Sequence, residues 1–307
     1  MSAATPPGGA VVPAALARGG HARRSGSPRV RRVVRAVALT YLGLLLVFPV
    51  VLVFVRTFER GLDPVIAALN RPAFGAALAL TLLVTLIAVP LNAVMGMIMA
   101  LTLVRRRFRG RAFLNAVIDL PFAMSPVVIG LALILVYGKF GLLGPTLEAQ
   151  GIRVIFAVPG MVLATILVSL PFVVREVMPV LREVGTEQEE AAAMLGAGRF
   201  RTFRRITLPS IRWGVVYGVI LTTARSLGEF GAVAIVSGKI SGKTETLTLH
   251  VEERFQAFDP IGAYTASIVL ALMALAVLLA MSLWQSGRLA RRTRHADPGG
   301  PADEALR

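Results

Sequence analysis

Six long apolar stretches dominate the pattern of hydrophobic and polar positions. Ala36–Val55 runs 20 residues without a charge, Ala73–Val104 runs 32 with Pro90 inside it, and Ala112–Tyr137 runs 26 with Asp119 as its one charge. Val154–Val174 runs 21 without a charge, Trp213–Gly238 runs 26 and holds Arg225 and Glu229, and Ile261–Trp284 runs 24 without a charge. A bilayer core of ~30 Å needs about 20 helical residues, so each stretch is long enough to cross once. Backbone groups in lipid must pair within their own segment, which makes these segments helices. The second stretch reads as one helix kinked at Pro90 and extending past the membrane, because halves of about 16 residues would be too short to span. Pro121 and Pro126 predict a kink in the third. The pattern therefore predicts an all-α, polytopic membrane protein with six transmembrane helices.

Composition sharpens this reading. Of 307 residues, 55% are hydrophobic and only 16% charged, with a mean hydropathy of +0.71. Soluble chains average about 25% charged residues. The 33 basic residues still outnumber the 17 acidic ones, for a net charge of +16. They cluster between apolar stretches: 24 lie before the first stretch, between the second and third, between the fourth and fifth, and after the sixth, against 8 in the other connections. The positive-inside rule places both termini in the cytoplasm, where arginines also meet anionic headgroups of the membrane lipid. Arginines dispersed over membrane connections do not form a nucleic-acid footprint. No cysteine is present, which excludes disulfides, thiol catalysis and cysteine metal sites. Two of the three histidines, His21 and His295, fall in polar tails, so no histidine metal site and no cofactor is expected.

The reading divides the chain into a disordered basic tail (1–35), a first transmembrane helix with its external loop (36–72), a transmembrane domain (73–285) and a cytoplasmic C-terminal tail (286–307). The first helix is expected to stay uncleaved, being too long for a signal h-region and lacking a clear cleavage site.

The connection 175–212 is long for a link between helices. Thr186 and Glu189 have the spacing of a capping box, and Glu187, Glu189 and Glu190 would sit in the first turn, where the helix dipole favours negative charge. Gly196 is suited to the left-handed position that ends a helix. A basic helix over about Arg199–Ile206 follows, with Leu208-Pro209 expected to stop it. Two short helices around a glycine, on the basic side, read either as a solvated loop or as a docking knob whose small Ala191, Ala192 and Ala193 permit close approach.

The spacing of Glu190, Ala191, Ala192, Gly196, Ile206, Leu208 and Pro209 resembles the cytoplasmic loop of type I ABC importer permeases. In that family this loop forms coupling helices seated in a groove of the ATPase subunit, and the resemblance assigns that role here. Residues 224–232, Ala-Arg-Ser-Leu-Gly-Glu-Phe-Gly-Ala, resemble the fifth-helix motif of oxyanion importer permeases. Asp119-Leu-Pro-Phe122 with Ser125-Pro-Val-Val128 resembles their third-helix motif. Val236-Ser-Gly-Lys-Ile240 and Thr246-Leu-Thr-Leu-His-Val-Glu252 resemble the W-type branch of sulfate/thiosulfate importers, with Thr248 where that branch usually has proline. The resemblance spans roughly Ala36 to Trp284. It implies a non-hydrolytic subunit in the bacterial cytoplasmic (inner) membrane, moving sulfate or thiosulfate by alternating access. It also implies a second, T-type permease, two ABC ATPase subunits and an extracytoplasmic sulfate-binding protein as partners. Molybdate or tungstate on the same architecture is the alternative. An ATP-independent anion carrier would call for coupling residues and inverted repeats, and neither is evident.

Charges inside the spans are functional candidates by default. Arg225 and Glu229, four residues apart, would share a helix face. They read either as an ion pair fixing packing or as an anion-path arginine tempered by a carboxylate. Asp119, near the cytoplasmic end of its helix, reads as the partner of a nearby arginine or as a gate. Met95, Met97 and Met99 read as core filling. The stretch Gly238–Thr244 imitates a phosphate-binding loop but is one residue short between its glycines and lacks the strand–loop–helix setting.

Overall fold

The computed structural model describes residues 28–295, with side chains over 32–280. Among the described residues all regular structure is helical. The chain forms two compact units, Met1–Leu52 and Val53–Arg307.

The first unit contains α1 (Pro28–Leu42), a π turn (Gly43–Val47) and the start of α2 (Phe48–Phe58). Residues 28–35, expected in the disordered tail, are helical here. Pro28 is pre-set for a first helical position, and the arginines after it are good helix formers. Residues 1–27, the rest of that tail, lie outside the described residues, as do 296–307 of the C-terminal tail.

The second unit continues with α3 (Asp63–Leu69), α4 (Pro72–Arg105), α5 (Arg111–Ala123), α6 (Pro126–Tyr137) and α7 (Gly144–Ala149). It then runs through α8 (Val158–Val184), α9 (Glu187–Met194), α10 (Arg199–Thr202), a second π turn (Phe203–Thr207) and α11 (Leu208–Leu227). It ends with α12 (Gly231–Val236), α13 (Leu247–Gln256) and α14 (Pro260–His295). Among the described residues five helices are long and apolar enough to cross a membrane, and α5 with α6 makes a sixth crossing if the pair counts as one. α4 is continuous through Pro90, as expected.

That pair bends by 116°, where the sequence predicts only a kink. Pro121 lies inside an unbroken α5, and the break falls at Met124–Ser125, with Pro126 opening α6. The residue before a proline is pushed out of the helical region, and Ser125 is extended at φ −63°, ψ 137°. Two buried clusters show what the pair does. The inner one joins Ala100 and Leu103 of α4, Ile118 of α5, Val173 to Leu181 of α8, and Ile211. The outer one joins Leu80, Val84 and Ala88 of α4, Ile129 and Leu133 of α6, Met161 to Val168 of α8, and Ala232 to Val236 of α12. α5 thus packs on the inner half of α8 and α6 on the outer half, so the bent pair traverses the bundle alongside α8.

α8 is the central post, and glycines bring its neighbours to it. A Cβ on Gly96 of α4 would stand 2.7 Å from Val173 Cβ, and one on Gly218 of α11 would stand 2.8 Å from Val173 Cα. Val173, fully buried, is clasped from both sides, the small-residue packing that lets membrane helices approach without a hydrophobic driving force. One layer further out, the Asn92 side-chain amide donates to Ser169 Oγ at 2.7 Å, a buried polar link between α4 and α8. Met97 and Met99 pack against the inner cluster as expected, whereas Met95 is exposed.

Two further expectations are corrected. The fifth stretch is not one helix: α11 ends at Leu227, and Gly228–Phe230 breaks it from α12. And Leu208-Pro209 does not stop the basic helix, which runs from Arg199 through the π turn to Leu227. The two π turns explain why. Each is followed at the second position by a proline, Pro49 and Pro209, and Phe48 and Leu208 donate to carbonyls five residues back. A proline in an α-helix lacks a donor and strikes the carbonyl four residues back. A wide turn just before it shifts that carbonyl aside, so the helix continues.

Candidate functional site

The loop between α8 and α11 is built locally. α9 begins after Thr186, but the expected capping box does not form: Thr186 is in the helical region and its side chain makes no cap hydrogen bond. Glu189 is engaged elsewhere. Its Oε1 accepts from Arg105 Nη2 at 3.1 Å and from Thr207 Oγ1 at 2.9 Å. One carboxylate therefore ties α9 to the inner end of α4 and to the π turn that leads into α11. Sequence reasoning noticed Glu189 but gave it the wrong partner, because both real partners are distant in sequence.

The far end of α9 follows the expectation. Gly196 sits at φ +79°. Its N–H donates to Ala193 O at 3.0 Å, and the Ala197 N–H donates to Ala192 O at 3.0 Å. These two bonds are the Schellman pair that satisfies the last carbonyls of a helix. The turn so fixed presents Met194, Leu195 and, from α10, Phe200, which are 84%, 89% and 76% exposed. Glu190, Ala191 and Ala193 are also exposed, Ala192, Ile206 and Leu208 are half-buried, and Pro209 is exposed. The seven motif residues thus lie in α9, its glycine turn, the π turn and the first turn of α11, a knob whose exposed surface includes a large apolar patch. Met194, Leu195 and Phe200 did not stand out in the sequence; large apolar side chains beside a helix-ending glycine on the basic side were the available signal.

The charged residues within the spans form two separate groups. Asp119 of α5 lies at the inner layer and is held by the Arg175 guanidinium of α8, whose Nε donates to Oδ1 at 2.8 Å while Nη2 reaches both Oδ2 and Asn115 Oδ1. Arg225 lies in the last turn of α11, and its Nη1 is 2.9 Å from Glu229 Oε2. Glu229 is nearly fully buried in the break, where its Oε1 accepts the Ala232 N–H at 3.0 Å and its carbonyl accepts from Thr248 Oγ1 at 2.8 Å. The pair bridges the helix end and the broken segment rather than lying on one helix face. Asp119 does not join it.

The external loop carries a third group. Gly238 and Gly242 adopt positive φ, and Ile240 bonds with Lys243 and Thr244 in a closed turn, so Gly238–Thr244 makes no phosphate cradle. After it, Glu245 and His250 are buried, with Glu245 Oε1 2.9 Å from His250 Nδ1. Burial alone would raise the Glu245 carboxyl, but hydrogen bonds with His250, Glu253 and Ser241 outweigh it and hold the group down at about 2. Glu253 is pushed up by its hydrogen bond to Glu245, then by burial and by the Glu245 charge. At the head of α14, Asp259 accepts the Gly262 N–H at 3.0 Å and pairs with Arg71 before α4. Burial opposes its ionisation, but Arg71 and the Gly262 N–H prevail and lower its pKa.

With this geometry in place, kinship with known proteins is decisive. Residues 92–295 match the family described as binding-protein-dependent transport system inner membrane component. The chain belongs to that family. It is a multi-pass inner-membrane protein and a transport subunit, not an enzyme. It is 49% identical over 267 residues to the sulfate transport system permease protein CysW of Synechocystis, covering 87% of this chain and 95% of that one. It is 46% identical over 241 residues to the CysW protein of Escherichia coli, covering 78% and 83%. The sulfate transport system permease protein CysT of Salmonella typhimurium is 39% identical over 256 residues, covering 83% and 92%. Among solved structures, a chain of a bacterial alginate ABC transporter in complex with an alginate pentasaccharide-bound periplasmic protein superposes with a TM-score of 0.69 at 17% identity, covering 82% of this chain and 92% of that one. That likeness supports the fold.

Proposed function

We propose that this chain is the W-type permease subunit of an ATP-driven importer that carries sulfate or thiosulfate inward by alternating access. Its partners would be a T-type permease, two ATPase subunits docked on the knob, and an extracytoplasmic sulfate-binding protein. The observation that carries the reading is the knob itself: a Schellman-closed turn with an exposed apolar tip, strutted by Glu189 to two bundle helices. Closure of the ATPase pair on ATP would displace the knob. Glu189 would pass that displacement to α4 through Arg105 and to α11 through Thr207. α11 carries Arg225 in its last turn and runs up to the Gly228–Phe230 break, so motion at the inner end reaches the outer layer along one helix. Arg225 would line the anion path, with Glu229 keeping the site weak enough to release its ion. Asp119, locked to Arg175, would hold α5 against α8 at an inner gate.

The test is uptake of labelled sulfate and molybdate by cells lacking this chain, complemented with wild type or Gly196→Pro. Proline fixes φ near −65°, whereas Gly196 sits at +79° and donates a hydrogen bond. The substitution should therefore undo the knob while leaving the spans in place. Wild type should restore ATP-dependent sulfate uptake, and Gly196→Pro should insert but not transport. Restoration of molybdate uptake alone would overturn the substrate. Full sulfate uptake by inserted Gly196→Pro would overturn the coupling route.

A further inference from the structure

Outside the sites above, one cluster stands apart: Glu245, His250 and Glu253, at the start and along one side of α13, with ligand-capable atoms all within 4.8 Å of one another. The side chains of Glu245 and His250 are 2% and 3% exposed, while Glu253 is 43% exposed. Glu245 Oε1 and Glu253 Oε2 lie 2.9 Å and 3.9 Å from the same atom, His250 Nδ1. Arg254 occupies the other Glu253 oxygen, Oε1, at 3.0 Å. Beyond the Ser241 contact to Glu245, Glu245 Oε2 and Glu253 Oε2 are buried and have no hydrogen-bond partner at bonding distance when both carboxylates are ionised. A buried carboxylate oxygen with no donor is costly, and a cation between the two carboxylates and the imidazole would satisfy both oxygens at once. Phe74 of α4 packs edge-on to the imidazole at 6.1 Å between centroids and restrains the ring.

We infer that Glu245, His250 and Glu253 form a site, open to one water, for a divalent transition-metal ion such as Zn²⁺ at the external end of the bundle. The donor set decides the class. One imidazole nitrogen and two carboxylate oxygens suit borderline metals with three protein ligands and a water, whereas Mg²⁺ and Ca²⁺ prefer all-oxygen shells. Ligand atoms about 2.0–2.2 Å from a metal stand roughly 3.4 Å apart in a tetrahedron. Reaching that geometry takes a shift of about half an ångström each way: Glu245 Oε1 backs off from His250 Nδ1, now at 2.9 Å, and Glu253 Oε2, the exposed member through which an ion would arrive from outside, closes in from 3.9 Å. The metal would pin α13, whose Thr248 holds the Glu229 carbonyl at the α11–α12 break. It would also cancel negative charge beside the outer end of the bundle. This inference does not depend on the transported anion.

The competing occupant is a proton shared between the two carboxyls, and the experiment separates the two. The tag-free full-length chain, purified with its partners and stripped with chelator, is titrated with Co²⁺ and then Zn²⁺. The same is done for Glu253→Gln and His250→Asn. Wild type should take up one more Zn²⁺ per chain than either variant, develop a Co²⁺ ligand-field spectrum that Zn²⁺ abolishes, and melt at a higher temperature with Zn²⁺. Glu253→Gln, at a half-exposed position, should fold normally and bind Zn²⁺ at least ~10-fold more weakly, since even outer-shell changes cost that much. The absence of a Co²⁺ spectrum in wild type, or Zn²⁺ uptake equal in wild type and folded Glu253→Gln, would overturn the site in favour of a shared proton.

Discussion

Removing the Glu189 carboxylate should uncouple the knob from the bundle. Glu189 and Arg105 are 23% and 15% exposed at their side chains, so theirs is not a surface ion pair of negligible worth. Hydrogen bonds to charged groups contribute about 1.5–3 kcal/mol each. Both bonds share one oxygen, so they are not additive, and Glu189→Ala should lose roughly 2–3 kcal/mol of knob-to-bundle coupling. The loss also strands Arg105, whose Nε already has no acceptor. At 1.36 kcal/mol per factor of ten, a 2 kcal/mol loss is about 30-fold in the coupled rate. Glu189→Gln keeps an acceptor oxygen but not the charge, and should cost about 1 kcal/mol, near 5-fold. The assay is sulfate uptake and ATP hydrolysis by the assembled importer in proteoliposomes. Uptake should fall in that order, and the number of ATP molecules hydrolysed per sulfate should rise. Thr207→Val should lose less than Glu189→Ala, and their combination little more than Glu189→Ala alone. If Glu189→Ala transports at the wild-type rate with an unchanged ATP ratio, the strut does not carry the movement.

Other outcomes follow from the same geometry. Gly96→Leu should destabilise the bundle by about 1–3 kcal/mol by overpacking Val173; thermal melting in detergent should show partial rescue by Val173→Ala, and no rescue would contradict the clasp. Replacing Arg225 alone should harm folding, since it strands the buried Glu229 carboxylate at a cost of about 3–5 kcal/mol, and replacing Glu229 alone should harm it less because Arg225 is partly exposed. The double variant Arg225→Gln/Glu229→Gln separates packing from transport: wild-type uptake would make the pair structural, whereas a stable but inactive subunit supports Arg225 on the path. Asp259→Asn keeps a capping oxygen for Gly262 but loses the charge that pairs with Arg71, and should cost about 1 kcal/mol at pH 7. Because the folded pKa of Asp259 lies below its ordinary 3.8, that contribution is complete above 3.8 and disappears as pH falls through the folded value. Melting curves of wild type and Asp259→Asn should therefore converge on acidification from pH 7 toward 3, and a constant gap would refute the assignment.

How far each feature was legible in the sequence depended on how far away its cause lay. Gly196 was readable because a Schellman turn is closed by its own neighbours. The spans were readable because the bilayer demands length and apolarity whatever packs beside them. Pro126 was readable as a disturbance but not as a bend of 116°, since the extent of the turn depends on α6 finding Gly130 a seat against Ala232 and Ile235 of α12. Pro209 misled for a related reason: as a local signal it ends helices, yet a π turn that closes two residues upstream absorbs it, and that turn is held by Thr207 on Glu189. Glu189 itself had the spacing of a cap and became a strut, because a partly buried arginine from α4 outbids an exposed backbone N–H for a carboxylate. His250 and Glu253 share a face of α13, but Glu245 lies five residues back, before the helix begins, so the spacing of the three resembles no metal motif. They converge only because Thr246 ends the loop and starts α13, with the Leu247 N–H donating to Thr81 of α4 at 2.8 Å. The contacts that the sequence hid are those between elements, and in this subunit they are also the ones through which movement at the knob would have to travel.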